Sequence, residues 1–357
     1  MADEARTQQI INAQRASQTR VAFSKDMADG ITTFPYILTG GATGSGYYLE
    51  TPPTVEILGS TSEVGTTSPL GINTLYNGFV QVGNLVYILN GLTGAFYSYN
   101  IDTNVWTVLA TAPSQAQYST PVVQGGKIYI MTYYNGTAHV MNAPLVYDIT
   151  GGTWSTLTAP TGSPATVYIY SSVADETDAN IIYVMLDANV AATDRLWSYN
   201  IATNTYTVMT PPHLSSALEN IVYDNGYLYY IAYNDNSLYR YKLVDGVSEL
   251  VKRLYSTHQV YRGFLFKAGG LIYAGSDYVT IATVINTATG ITQFMYRGTY
   301  PFLNSYCTSQ STFEHQGKLY SFMPYNYAHD LTRNVYSDRV LSIDLSLPHF
   351  YNLTKEV

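Results

Sequence analysis

The chain has a single cysteine, Cys307, so no disulfide can form within it, and its stability has to come from packing and hydrogen bonds. Charge is also scarce. Asp, Glu, Lys and Arg make up 12% of the 357 residues, about half the usual share. What charge there is sums to −8, which removes the basic field that phosphate backbones require and argues against nucleic-acid binding. The mild basic grouping of Lys252, Arg253, Arg262 and Lys267 reads as a solvated face. No apolar run approaches membrane-spanning length, so no membrane insertion is expected. Residues 1–20 carry Asp3, Glu4, Arg6, Arg15 and Arg20 without an apolar stretch, unlike a secretory signal.

The missing charge is replaced by Thr, Ser, Asn, Gly and 36 tyrosines, giving a surface that is polar but largely uncharged. Tyr with Asn and Ser is also the composition of adaptable binding surfaces.

An internal repeat organises the rest. Its clearest copies run from Phe96 through Tyr99-Asn100-Ile101-Asp102-Thr103-Asn104 to Trp106, and from Leu196 through Tyr199-Asn200-Ile201-Ala202-Thr203-Asn204 to Tyr206, with Leu145 to Trp154 between them. Weaker copies surround Tyr241, Ile285 and Ile343. Taking Tyr99, Tyr147, Tyr199, Tyr241, Ile285 and Ile343 as equivalent, the spacing is roughly 42 to 58 residues. Ahead of each copy except that of Tyr199 stands a hairpin signal with a Gly-containing turn: Gly83-Asn84, Gly125-Gly126, Asn225-Gly226, Gly269-Gly270 and Gln316-Gly317. The flanking segments alternate apolar and polar residues and are rich in β-branched and aromatic side chains, as strands are. A period of this length that holds only strand signals predicts a propeller, since one four-stranded sheet cannot bury both faces until neighbours stack against it.

The run from Gly126-Lys127-Ile128-Tyr129 through Val146-Tyr147-Asp148 to Trp154 resembles a kelch repeat, although the Gly-Gly that kelch blades place after the second strand is replaced here by Leu89-Asn90-Gly91, Met131-Thr132 and Ala274-Gly275. The expected fold is all-β, a six-bladed kelch-like β-propeller with seven blades as the alternative. Residues 1–30 form an N-terminal arm, helical in pattern, for which a frayed end and a partner-docking segment both fit. Residues 31–77 form a Gly/Thr/Ser-rich lead-in with one isolated strand at Thr54 to Leu58, and residues 78–357 form the propeller. The last repeat is expected to own its outer strand at Phe350 to Thr354, which would assign Thr54 to Leu58 to a rudimentary extra blade.

The search for chemistry returns no catalytic, metal or cofactor motif. Gly44-Ser45-Gly46 lacks the spacing of a nucleophile elbow, and the two Gly-Lys pairs lack the rest of a phosphate-binding loop. The six histidines, at 139, 213, 258, 315, 329 and 349, show no metal-ligand spacing. Repeated Ser-x-Asp-x-Gly turns of the sialidase kind are missing. Cys307 beside Tyr306 does not suit a copper radical site, because neighbours on a strand face opposite ways. No catalytic residue, metal or cofactor is therefore expected. For a glycan-processing alternative, Asp187, Asp194, Asp235 and Asp330 are the loop carboxylates on offer.

Contact residues are easier to nominate. Loops joining the second and third strands of every blade emerge on one face, and three are long: Tyr133 to His139, Asp187 to Asp194, and Tyr325 to Arg333. Two of them combine Tyr, Asn and His. The binding candidates are Tyr133, Tyr134, Asn135, His139, Tyr325, Tyr327, His329 and Asp330, with tyrosines packed on their own loops as the competing reading. The low charge, Thr/Asn/Tyr-rich strands and polar arm resemble propeller components of tailed-bacteriophage virions. That resemblance implies a non-enzymatic structural protein of the tail or particle surface, located in the virion and present in many copies. It would join other virion proteins through the arm and a host protein or glycan through the loop face. A glycan-binding or glycan-processing propeller and a cytoplasmic kelch-type adaptor are the alternatives.

Overall fold

The computed structural model describes residues 55–60, 77–117, 119–131, 133–134, 137–140, 143–162, 169–186, 196–209, 221–232, 237–254, 263–276, 281–290, 292–296, 312–322, 325–327, 334–336, 339–344 and 350–351. The arm at 1–30 lies outside them. Regular structure among the described residues is β throughout.

The first strand, β1 (Val55–Ser60), joins a sheet formed much later in the chain. The next four, β2 (Gly78–Val82), β3 (Leu85–Leu89), β4 (Phe96–Asn100) and β5 (Val105–Leu109), form an antiparallel meander in chain order. The pattern repeats with β6 (Val122–Gln124), β7 (Lys127–Ile130), β10 (Leu145–Asp148) and β11 (Thr153–Thr156), interrupted by a small hairpin of β8 (Tyr133–Tyr134) and β9 (His139–Val140). It repeats again in β12 (Ile169–Ala174), β13 (Ile181–Leu186), β14 (Leu196–Asn200) and β15 (Thr205–Met209). A further copy is β16 (Ile221–Asp224), β17 (Tyr227–Ala232), β18 (Ser237–Lys242) and β19 (Val247–Arg253). Then come β20 (Gly263–Ala268), β21 (Leu271–Ser276), β22 (Ile281–Asn286) and β23 (Thr292–Tyr296). The last are β24 (Thr312–His315), β25 (Lys318–Phe322), the hairpin β26 (Tyr325–Tyr327) and β27 (Asn334–Tyr336), β28 (Arg339–Asp344) and β29 (Phe350–Tyr351).

The hydrophobic core lies between sheets. One cluster joins Tyr87, Leu89 and Phe96 of the first meander to Ile128, Leu145 and Tyr147 of the next. The following interface packs Tyr129 and Val146 on Ile182, Trp197 and Tyr199, and the one after it packs Tyr183 and Met185 on Tyr223 and Tyr230. Val222 and Tyr229 then meet Leu265 and Ile272. The circle closes where Phe79, Val86, Ile88 and Tyr99 pack on Tyr320 and Phe322. There the Tyr99 and Phe322 rings meet edge to face at 5.3 Å, and the Gln81 side-chain amide donates to the Glu314 carbonyl at 2.8 Å. This arrangement is a β-propeller, with β2, β6, β12, β16, β20 and β24 innermost.

The anchors read from the repeat hold one register. Tyr99 pairs with Val86 and Trp106, Tyr147 with Ile128 and Trp154, and Tyr199 with Ile182 and Tyr206. The turn that follows explains the Asn and Gly of the motif. Five residues after the anchor the backbone takes positive φ, at Asn104 (57°), Gly152 (64°), Asn204 (52°), Gly246 (70°) and Gly290 (72°), a region that only Gly and Asn enter cheaply. The two Asn residues are also tethered, since Tyr99 Oη donates to Asn104 Oδ1 at 2.5 Å and Tyr199 Oη to Asn204 Oδ1 at 2.8 Å.

Two expectations are corrected. Six equal four-stranded sheets become five sheets of four strands and one of five. The strand exchange behind this reverses the assignment of the two terminal segments. β1 is no rudimentary blade: it pairs antiparallel with β28, Val55 opposite Ile343 and Ile57 opposite Leu341, and so supplies the outer strand of the β24–β25–β28 sheet. β29 instead adds to β23 of the preceding sheet, Met295 opposite Phe350. An open edge row of backbone donors and acceptors is costly, and the edge of β28 is satisfied by a segment from the other end of the chain.

Deleting residues 1–61 should therefore strip that sheet of its outer strand. Thermal unfolding is expected to fall by more than ~5 °C relative to a chain lacking only residues 1–25, whose midpoint should match the full-length protein.

Candidate functional site

First strands begin and second strands end on the same side of each sheet, so both inserted hairpins rise from one face. The β8–β9 hairpin belongs to the sheet after the β2–β5 meander, and the β26–β27 hairpin to the sheet before it. They sit at equivalent points, between second and third strands. In the first, Tyr134 lies opposite His139 and Tyr133 opposite Val140, with Thr137 and Ala138 exposed at the tip. In the second, Tyr325 lies opposite Tyr336 and Tyr327 opposite Asn334. The structure thus pairs Tyr134 with His139 across one ladder and places Tyr325 and Tyr327 on another. Asn135, His329, Asp330 and the loop Asp187 to Asp194 lie outside the described residues.

Tyr133 departs from its expected role. It is only 4% exposed, packs in the cluster with Tyr87, Leu89 and Phe96, and donates through its hydroxyl to the Ala143 carbonyl at 3.1 Å. Burial pushes its pKa up. Tyr133 is therefore the foot that seats the hairpin on the core and is unavailable as a contact. A two-residue strand has no period from which the inward residue could be read.

The opposite face, formed by the turns between first and second strands, carries a polar network that sequence reasoning missed. Lys267, expected in a solvated basic cluster, is instead ion-paired at 2.8 Å to both Glu176 Oε1 and Asp224 Oδ1. These three groups come from three successive sheets. Asp224 is 5% exposed; burial works to raise its pKa, but the bonds from Lys267, Thr287 and Asn225 outweigh this and hold the carboxyl below its usual range. Burial likewise works against the Lys267 charge and is overcome by Asp224 and Glu176, which raise its pKa. Beside them Asp175 accepts from Tyr183 Oη at 2.8 Å, Thr177 Oγ1 at 2.7 Å and the Thr177 and Asp178 amides, and Thr177 reaches Tyr223 Oη at 3.0 Å in the next sheet. The Gln124 amide donates to the Asp175 and Asp178 carbonyls from the sheet before. Further round, His315 Nε2 lies 2.8 Å from Asp102 Oδ1 across the closure, a bond that lowers the Asp102 pKa.

Chemically, these carboxylates are saturated by donors. Asp175 has its lone pairs filled and its pKa held down against burial by those bonds, which suits a fixed turn better than a proton acceptor at neutral pH. Among the described residues no group of three or more His, Cys, Asp or Glu is placed to hold a metal ion. The signal for this network was present in the sequence only as isolated polar residues at strand ends beside each hairpin turn.

No family model matches the chain, and no curated protein is significantly similar to it.

Two measurements follow. Tyr133→Ala should lower stability by about 3 kcal/mol in urea unfolding, as large-to-small changes at buried aromatics do, and Tyr133→Phe by about 1 kcal/mol for the lost hydroxyl bond. Asp224→Asn should cost about 2 kcal/mol at neutral pH. Because the native Asp224 pKa is depressed, the wild-type advantage should be full above the ordinary aspartate value of about 4 and vanish as pH falls through the lowered one. On the alkaline side it should last until pH exceeds the ordinary lysine value of about 10.5, since Lys267 is shifted upward.

Proposed function

We propose that this chain is a non-enzymatic structural and interaction protein that makes its contacts through the face carrying the two hairpins. The observation that carries the reading is the pair of hairpins at equivalent positions on either side of one sheet, each bringing tyrosines to a short ladder. Tyrosine offers rigid contact area with a polar tip, the usual material of interface anchors. The opposite face is occupied by bonds between its own sheets, which favours the hairpin side for partners.

The finer assignment rests on sequence style. The Tyr–Trp pairs at Tyr99–Trp106 and Tyr147–Trp154, with rings 4.8 and 5.1 Å apart, support a kelch-like blade. The low charge and the Thr/Asn/Tyr-rich strands support a component of a tailed-bacteriophage virion, at the tail or particle surface, with residues 1–30 as the attachment arm. In that role the hairpin face meets a neighbouring virion protein or the host.

Replacing Tyr134 or Tyr325 by Ala should weaken attachment to the particle or host surface by about 1 to 3 kcal/mol per anchor, with the unfolding midpoint unchanged. Binding that survives both substitutions would move the contact surface elsewhere. A hairpin-dependent signal on a glycan array would assign the face to sugar, and turnover of that glycan would overturn the non-enzymatic reading. Removing residues 1–25 should abolish incorporation into the particle without altering the fold.

A further inference from the structure

At the axis, on the hairpin side, several polar atoms are sealed from solvent without a partner. Both side-chain atoms of Asn77, Ser119 Oγ and Thr312 Oγ1 have no hydrogen-bond partner among the described residues. All three residues are more than nine-tenths buried. Asn77 immediately precedes β2, Ser119 lies just before β6, and Thr312 opens β24, so they mark the entry ends of three successive innermost strands. Gly78 lets two of them approach: a Cβ there would stand 2.6 Å from Ser119 Oγ. In the next gap between innermost strands, Thr120 Oγ1 and Ser172 Oγ meet directly at 2.7 Å, so at that joint the protein's own hydroxyls complete the bonding.

We propose that one or more internal water molecules bridge Asn77 and Ser119, extending toward Thr312, as a built-in hydration site across the sheets that flank the ring closure. The donor set selects the ligand. Asn77 presents both an N–H donor and a carbonyl acceptor, the two hydroxyls can do either, and among the described residues no group of carboxylates is placed to hold a cation, which fits a neutral molecule that both donates and accepts. Near-complete burial admits water and excludes a sugar-sized guest. A water with two to four polar partners is the usual answer to buried groups that the fold leaves unpaired, each of which otherwise lowers the folding constant by roughly tenfold or more.

A crystal structure of the full chain at about 1.5 Å should show ordered water within hydrogen-bonding distance of Asn77 and Ser119. Density in which Asn77 bonds directly to protein, or a dry gap, would overturn the proposal. In solution, Asn77→Leu and Ser119→Ala should each lower the folded-to-unfolded ratio about tenfold, and the double variant should lose far less than the product, because one shared water is lost once. Multiplying losses would show two unconnected groups. Should Asn77→Leu fail to fold, Asn77→Ser in the same cycle keeps the comparison open.

Discussion

A four-stranded sheet with apolar residues on both faces cannot stand alone in water, and this requirement organises the whole molecule. The buried clusters join adjacent sheets, so each of the first four blades is half of two cores. Stability is thereby distributed round the ring, and the joint between the last sheet and the first matters as much as any other. At that joint Phe79, Tyr99, Tyr320 and Phe322 supply apolar packing, and within the last sheet the β1–β28 ladder adds backbone pairing between residues 279 to 288 positions apart. Non-local pairing of this kind costs loop entropy to form, and it prevents the ring from peeling open at one edge.

Local chemistry then sets the shape of each blade. The aromatic anchor on the third strand buries its ring, pairs with a small aliphatic residue on the second strand and, in three blades, leans on an aromatic of the fourth. Its position also dictates the turn, because the residue five places on must accept positive φ. Asn fills that place in two blades, where the anchor's tyrosine hydroxyl bonds its side chain, and Gly fills it in three others. One constraint thus links a core residue, a turn residue and a hydrogen bond.

The two faces divide the remaining polar chemistry. On the turn side, the Glu176–Lys267–Asp224 cluster, the Asp175 turn and the Asp102–His315 pair join sheets already packed together, and their carboxylates are filled by donors. On the other side the chain inserts hairpins, seats one of them on buried Tyr133, and leaves unpaired polar atoms at the axis. A face whose polar groups are spent on internal bonds is rigid scaffolding, whereas a face built from insertions is free to vary with its partner.

Strand positions, hairpin turns, the shared register of Tyr99, Tyr147 and Tyr199, and the propeller architecture were determined by the sequence itself, because each depends on period-two alternation, positive-φ residues or spacing within a single repeat. Other features belonged to the tertiary structure alone. Val55–Ser60 and Phe350–Tyr351 are both plausible edge strands, and nothing local distinguishes which sheet each completes; that was decided by which open edge lay within reach once the ring had formed. The same holds for Lys267, whose neighbours Glu176 and Asp224 come from other blades, and for Tyr133, whose inward direction follows from the core beneath it. Contacts between repeats leave no periodic trace in the chain, since they depend on how neighbouring sheets stack rather than on the order of residues within any one of them.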